Sequence, residues 1–161
     1  MATPKPQPSR AIEVVISPLN NIPNPALLIV SSTLTQQEQD NIFTDLTVDF
    51  IALGVKAGDI LYAGGAGAAT ITDVLDEHTF SINAPNDPLV PPTVVSIPYS
   101  LYNGADDNQG CVLYVGTGGS LETITAGGDE AIYVNVQSGT FIPVQTIAVT
   151  GGLAENIIAL F

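Results

Sequence analysis

The sequence predicts a mainly β chain, built as antiparallel β-sandwich or small β-barrel lobes with an extended, proline-rich N-terminal arm. Three observations lead to this prediction. Short apolar runs recur along most of the chain and are separated by glycine-rich turns. Only one segment carries a helix signal. Prolines at positions 4, 6, 8, 18, 23 and 25 disfavour both helix and central strand near the N-terminus.

Residues 1–25 are interpreted as the arm. Within it, Ile12, Val14 and Ile16 alternate with other residues as in a short strand, a pattern that a flexible linker does not need. We expect these three residues to pair with a sheet edge, with a neighbouring subunit as one acceptor. Lys5 and Arg10, which precede the patch, would meet carboxylates of the partner.

Residues 26–95 are predicted to form a first β lobe with one short helix. Thr35 and Glu38 have the spacing of a capping box, which predicts one or two helical turns over 35–43. Turn-forming clusters separate the predicted strands of this lobe, which are 26–30, 60–62, 69–74 and 79–82. A proline-rich loop at 84–92 marks the end of the lobe.

Residues 96–161 are predicted to form a second β lobe. Its strands are predicted at 97–102, 110–115, 121–125, 131–136, 141–149 and 156–161. We expect the last strand to pair with 141–149 across Gly151-Gly152 and to close a sheet. Phe141, Ile158 and Phe161 would then lie at its rim, beside neighbouring subunits.

The charge of the chain is strongly acidic. Sixteen Asp and Glu face three Lys and Arg, the formal net charge is −13, and no basic side chain follows Lys56. Nucleic acid and anionic membranes are therefore poor partners, because both are bound through Lys and Arg. Charged residues make up only 12% of the chain, about half of the usual 25% or so, and this predicts that subunit contacts cover part of the surface. We expect a homo-oligomer, with a trimer as the favoured state.

Few residues suggest chemistry. His78 lies in a turn composition without a neighbouring nucleophile, and Cys111 has the pattern of a buried thiol. The glycine clusters at 64–67 and 116–119 lack the lysine of a phosphate loop and are interpreted as turns. Asp106, Asp107 and Asn108 offer oxygen ligands for a cation, but no distal Glu completes a known calcium loop. The sequence predicts neither catalysis nor a cofactor.

Three motifs carry a resemblance to a known group of proteins. They are Asp-Phe-x-Ala-x-Gly-Val-x-x-Gly-Asp at 49–59, Gly-Thr-Phe-x-Pro-Val-Gln at 139–145, and Ile-Ile-Ala-Leu plus an aromatic at 157–161. With them, residues 45–161 resemble small structural proteins of tailed bacteriophages, marine and cyanobacterial phages in particular. The arm before Ala26 matches nothing in that group, and none of the motifs is catalytic.

The resemblance implies a non-enzymatic virion protein, assembled in the host cytoplasm. It would be a capsid decoration (cement) protein or the base of a vertex spike or fibre, with the major capsid protein or other virion proteins as partners. The arm would dock by strand addition, and the acidic body would meet a basic patch on the shell. The alternatives are a neck- or tail-associated protein, a module that binds host glycans through exposed tyrosines, and, last, a hydrolase.

Overall fold

The structure is a computed structural model that describes residues 8–34, 36–39, 41–63, 67–83, 96–104 and 109–161, with only the backbone of 36–39. The prediction of a mainly β chain is confirmed. Thirteen strands form two antiparallel sheets, one of seven strands and one of six, and a single 3₁₀ turn is the only other regular element of the described residues. Each sheet has its own apolar core.

The seven-stranded sheet belongs to the first lobe and has the strand order β2-β8-β5-β6-β7-β4-β3. Its strands are β2 (Leu28–Thr33), β3 (Gln36–Gln39), β4 (Ile42–Thr44), β5 (Ile60–Tyr62), β6 (Ala68–Val74), β7 (Thr79–Ile82) and β8 (Pro98–Tyr102). Three phenylalanines mark the centre of its core: the rings of Phe50 and Phe80 meet edge to face at 5.0 Å, and Phe43 stacks on Phe80 at 6.1 Å. Edge-to-face aromatic pairs add to the stabilisation that burial alone provides.

The predicted helix over 35–43 is wrong. Gln36–Gln39 and Ile42–Thr44 are strands that pair with each other, and β4 continues the ladder onto β7, with Phe43 opposite Phe80. Asn41 takes the left-handed conformation (φ 73°) that the tight connection requires. An isolated helix of two turns is unstable in water, whereas pairing to β7 buries Phe43 completely. The predicted capping residue Thr35 lies outside the described residues.

The first of the resemblance motifs forms a capped turn rather than a strand. The Asp49 carboxylate accepts the N–H of Ala52 at 2.8 Å, and Gly54, at φ 73°, ends the turn. The Val55 N–H then donates to Phe50 O at 3.0 Å, the closing hydrogen bond of a Schellman motif. Both of these apolar residues are buried, so the motif fastens a surface turn to the core.

The six-stranded sheet belongs to the second lobe and has the order β1-β13-β9-β12-β10-β11. Its strands are β1 (Ala11–Glu13), β9 (Cys111–Thr117), β10 (Gly119–Thr125), β11 (Glu130–Val136), β12 (Thr140–Gly152) and β13 (Glu155–Leu160). The long strand β12 pairs with β9 in its first half and with β10 in its second. A register shift follows Ile142, where Pro143 could not have donated to a regular ladder.

The C-terminal strand is covered on both edges, but not by the predicted partner. β13 lies between β9 and β1, while β12 lies on the far side of β9. The turn at 151–154 does not fold back as a hairpin, because the N–H groups of Leu153 and Ala154 both donate to Ser120 O. These hydrogen bonds hold the turn against the start of β10. The chain then forms β13, which pairs with β9 on the side opposite β12.

The boundary between the lobes also differs from the prediction. β8, which was assigned to the second lobe, pairs with β2 and β5 in the first. Its Tyr99 and Leu101 side chains are buried in the first core. The second lobe therefore starts with β9, and the proline-rich loop at 84–92, which lies outside the described residues, interrupts the first lobe instead of ending it.

The arm joins the two lobes. Ser17 and Ile22 donate their N–H groups to Val149 and Ile147 of β12, at 2.9 and 2.7 Å. Between them, the buried Asn20 reaches the first lobe: its amide nitrogen donates to Ala68 O at 3.1 Å, and its oxygen accepts the hydroxyl of Thr70 at 2.7 Å. Asn20 thus links β6 of the first lobe to the arm segment 17–22, which lies on β12 of the second lobe.

Candidate interaction surfaces

His78 is a turn residue, as the sequence predicts. Its N–H donates to the Asp76 carboxylate at 2.8 Å, and its Nδ1 lies 2.7 Å from Val48 O. The backbone hydrogen bond from His78 lowers the pKa of Asp76. The imidazole is thus positioned by a main-chain carbonyl and not by a carboxylate, as a general base in a triad would be.

Cys111 is buried, also as predicted. Its sulfur lies 3.3 Å from Thr146 O, and burial raises the pKa of the thiol to about 12. The thiol therefore stays protonated at neutral pH and is a poor nucleophile.

Two buried carboxylates were missed by the sequence analysis. Asp45 accepts the N–H of Thr47 at 2.9 Å, the hydroxyl of Thr47 at 2.6 Å and the hydroxyl of Tyr99 at 2.9 Å. Burial alone would raise the pKa of Asp45, but hydrogen bonds from Ser32, Thr47 and Tyr99 outweigh burial and lower it. Burial and the charge of Asp45 raise the pKa of Tyr99. The sequence alone does not reveal that Asp45 is a buried hydrogen-bond acceptor, because that inference requires knowing that Asp45 lies in a turn.

Asp59 is the second buried carboxylate. It accepts the N–H of Lys56 at 2.9 Å and the N–H of Gly104 at 3.2 Å, one on each oxygen. Like Asp45, it fastens loops to the first lobe and points its oxygens at its own chain. These two acids, the only ones buried among the described residues, serve the fold.

No group of three metal-ligating side chains comes together in the part of the chain that the structure describes. Asp106, Asp107 and Asn108 lie outside it, as do Lys5 and residues 64–66 of the first glycine cluster. In the second cluster, Gly116 and Thr117 end β9 and Gly119 begins β10, so the predicted turn is reduced to Gly118, which lies so close to Val136 O that a side chain would clash. Over the described residues, no helix has the length and apolarity needed to cross a membrane.

The tyrosines do not form an exposed binding platform. Tyr99 and Tyr102 are buried, and the other three are half-buried. The hydroxyl of Tyr62 donates to Glu13 O at 2.9 Å, and burial, with a contribution from Glu13, raises its pKa to about 12. Flat stacking of a sugar ring needs an open aromatic face, so this arrangement does not favour the glycan-binding alternative.

The apolar patch of the arm lies on its own chain. β1 pairs with β13, with Ile12 opposite Ala159, and the Val14 N–H continues the ladder to Ile157 O at 2.9 Å. Ile12, Val14, Ile16 and Phe161 all pack against the second core. Pairing with a sheet edge is thus observed, but the expected acceptor on a neighbouring subunit is replaced by an edge of the same subunit. The reason is proximity, because the arm segment 17–22 is bonded to β12 and therefore holds residues 11–16 close to β13.

Arg10 also contacts its own chain. Its guanidinium donates to Pro25 O at 2.6 Å, and its carbonyl accepts the Phe161 N–H at 2.9 Å. The side chain is exposed and is directed at this main-chain oxygen. That Arg10 meets a carboxylate of a partner stays a prediction.

An apolar row crosses the outer face of the second sheet. Ile158 lies opposite Tyr114, and Tyr114 lies opposite Phe141, so that the three side chains share the face that points away from the core. The rings of Tyr114 and Phe141 are 5.2 Å apart, and Phe141 is 56% exposed. We call Ile158, Tyr114 and Phe141 the outer row; it contains two of the predicted interface residues.

A second apolar surface lies on the turns of the first lobe. Leu46 and Ile51, each about 60% exposed, line a surface depression of about 570 Å³ together with Asp76, Glu77 and His78. Leu53 and Leu75, from the same two turns, are about half exposed. Exposed aliphatic groups beside carboxylates are typical of a surface that docks against another protein.

Comparison of the chain with protein-family models, with curated proteins and with solved structures found no match. The fold and the surfaces described above therefore define the class: a two-lobed, antiparallel β protein with exposed apolar surfaces on an acidic body.

Proposed function

We propose that the chain is a non-enzymatic structural protein of a tailed-phage virion, either a capsid decoration protein or the base of a vertex spike or fibre. The resemblance of residues 45–161 to small virion proteins motivates the proposal. The observation that carries it is the outer row, in which the exposed Phe141 lies beside the half-buried Tyr114 and Ile158 on the outer face of the second sheet. Apolar rows of this kind mark protein–protein contacts.

The placement of the ionisable groups supports a structural role. Asp45 and Asp59 accept hydrogen bonds from their own chain on both oxygens, burial keeps the Cys111 thiol neutral, and His78 contacts a carbonyl oxygen. The resemblance motif at 49–59 has a folding role as well, because it supplies the turn that buries Phe50. Among the described residues, the groups left to act in function are therefore those on the surface.

The proposed mechanism is association through surfaces. The outer row brings copies of the chain together as a homo-oligomer, with a trimer as the favoured state, and the acidic body faces a basic patch on the shell. Each contact is weak, and many contacts on one particle supply the avidity. The described part of the arm braces the subunit itself, so docking by the arm is not part of this mechanism.

Light scattering of the purified protein tests the oligomer. We expect the wild type to be oligomeric at micromolar concentration and Phe141→Ser to dissociate towards monomer, while its melting temperature changes little because the side chain is exposed. Leu153→Ser, which removes an even more exposed apolar side chain outside the row, is the control. A wild type that is monomeric under these conditions contradicts association through the outer row.

Mass spectrometry of purified particles tests the virion assignment. Heads and tails are separated and the chain is quantified in each fraction. Enrichment with heads supports the proposal, and enrichment with tails or necks favours the alternative position. Absence from both fractions would overturn the proposed function.

A further inference from the structure

Strand β11 leaves one edge of the second sheet open. It pairs with β10, and within the described ranges no other strand lies beside it. The opposite edge of the same sheet differs, because its terminal strand β1 has only three residues and the Tyr62 hydroxyl of the first lobe donates to Glu13 O of that strand. We call the outward side of Glu130–Val134 the β11 edge.

The side chains of the β11 edge are unusual for an unpaired strand. Ile132 and Val134 are each 71% exposed, while the alternate residues Ala131 and Tyr133 are half-buried. Open edges in natural proteins are normally protected by lysine, proline or an inward-pointing charge, and the segment 130–136 contains none of these. One protecting feature is present at the far end only: Val134 and Asn135 together oppose Ser120 as a bulge, with Asn135 at φ 56°.

The surroundings of the β11 edge carry one sign of charge. Glu130 starts the strand, Asp129 precedes it, and Glu122 lies opposite Ile132 on β10; all three carboxylates are exposed. No Lys or Arg occurs anywhere from residue 57 to residue 161 to offset them. Two copies of this edge would bring like charges together, which opposes pairing, whereas a basic partner would be attracted.

We propose that the β11 edge binds an extended apolar segment, flanked by lysine or arginine, of a second protein, which adds to the sheet as a seventh strand. Backbone hydrogen bonds would supply affinity, contacts with Ile132 and Val134 would fix the register, and the carboxylates would select basic flanks. The inference deepens the proposed function, and it rests on that function for one point only, that the segment belongs to another virion protein.

Fluorescence anisotropy with a labelled peptide tests the binding. The probe is Lys-Lys-Val-Thr-Ile-Thr-Val-Lys-Lys, titrated with the purified full chain. We expect binding at low salt that weakens severalfold at about 1 M salt, where charges are screened within about 3 Å. A peptide with Glu in place of every Lys, and a peptide with Pro in place of the central Ile, should each bind at least about tenfold more weakly.

Matched variants locate the site. Ile132→Thr combined with Val134→Thr keeps residues that favour strands but removes the apolar side chains, and we expect affinity for the lysine peptide to fall about tenfold or more. Leu153→Thr, which is 78% exposed and lies outside β11, should bind as the wild type does. Amide hydrogen exchange should show new protection at residues 130–134 when the lysine peptide is bound.

The outcomes separate the possibilities. No binding of the lysine peptide, equal binding of the lysine and glutamate peptides, or unchanged binding by the double variant would overturn the inference. If the wild type is oligomeric and the double variant is monomeric, the β11 edge binds a second copy of the chain, and the inference is overturned as well. If the lysine peptide binds as expected but mass spectrometry finds no chain in the particles, the proposed function is overturned and the β11 edge remains a binding site.

Discussion

The two lobes are stabilised in different ways. The first lobe consists of strands of three to seven residues, and its long turns are fastened by the buried carboxylates Asp45 and Asp59 around an aromatic core. The second lobe has longer strands, up to the thirteen residues of β12, a largely aliphatic core and no buried carboxylate among its described residues. The first lobe thus depends on buried carboxylates that hold its turns. The second lobe depends on strand pairing, which includes the pairing of the N-terminal strand β1 with the C-terminal strand β13.

The largest effect should come from deleting Ile157–Phe161. The deletion removes β13 from between β9 and β1, so that two strands lose their partner and Leu113 and Val115 lose their cover. Ile157 is the one large side chain among the deleted residues that is fully buried, which is worth about 1.5–3 kcal/mol, and the half-buried Ile158, Leu160 and Phe161 and the lost strand pairing add to that loss. A typical domain is stabilised by only roughly 5–15 kcal/mol. We expect insoluble expression.

The control for this deletion is Phe161→Leu, which keeps most of the apolar volume and should fold normally. Circular dichroism melting of the soluble fraction gives the readout. A soluble deletion that melts cooperatively would show that the second lobe does not depend on its last strand.

Matched core substitutions should next distinguish the lobes. Phe80→Ala in the first core and Leu113→Ala in the second each remove a fully buried side chain, at a cost of about 3–5 and 2–5 kcal/mol. The ring resonances of Tyr99 and Tyr114 report on the two lobes separately during thermal unfolding by NMR. We expect each substitution to lower the transition of its own lobe more. Equal shifts of both reporters in both variants would show that the lobes form one cooperative unit.

A smaller effect should follow Asn20→Ala. The substitution leaves Ala68 O and the Thr70 hydroxyl without their buried partner, which costs about 1–3 kcal/mol. We expect the transitions of the two lobes to move apart in temperature. The exposed neighbour Asn21→Ala is the control and should behave as the wild type does. If Asn20→Ala leaves the unfolding curve unchanged, the asparagine does not couple the lobes.

The smallest expected effect is a loss of stability of the first lobe at acidic pH, caused by protonation of Asp45. The pKa of Asp45 in the folded state lies below its ordinary value of 3.8, so its stabilising contribution is complete above that pH and is lost as the pH falls through the folded value. The melting temperature of the first lobe should therefore drop below about pH 4. Asp45→Asn should flatten that drop, whereas Asp129→Asn, at an exposed turn of the second lobe, should not. The same acid profile in wild type and Asp45→Asn would contradict the assignment.

The sequence predicted the strands of both lobes well wherever turns punctuated them. β5 and β7 have the predicted bounds, and β6, β8, β10 and β11 begin or end within two residues of them. The reason is that alternation and glycine-rich turns are local signals. The helix prediction failed because a capping-box spacing is local too, whereas the pairing of Phe43 with Phe80 is not.

The non-local features were beyond sequence reasoning. Nothing in the residues of β13 says whether β12 or β9 is its neighbour, since either pairing buries Ile157 and Ala159. In the same way, the sequence predicts a strand at Ile12–Ile16, but it does not show that this strand pairs with β13 of the same subunit. Of the candidate surfaces, the sequence pointed to Phe141 and Ile158; Ile132 and Val134 have the same alternation as any half-buried strand, and only the absence of a neighbour on β11 sets them apart.

The most direct test of the central claim is an electron cryomicroscopy reconstruction of particles that carry the chain. The claim is that this acidic β protein works by surface association. The account predicts copies on the outside of the head or at its vertices, with Phe141 and Ile158 buried between copies and the β11 edge against a basic strand of another protein. Copies that leave the outer row and the β11 edge both open to solvent would contradict it.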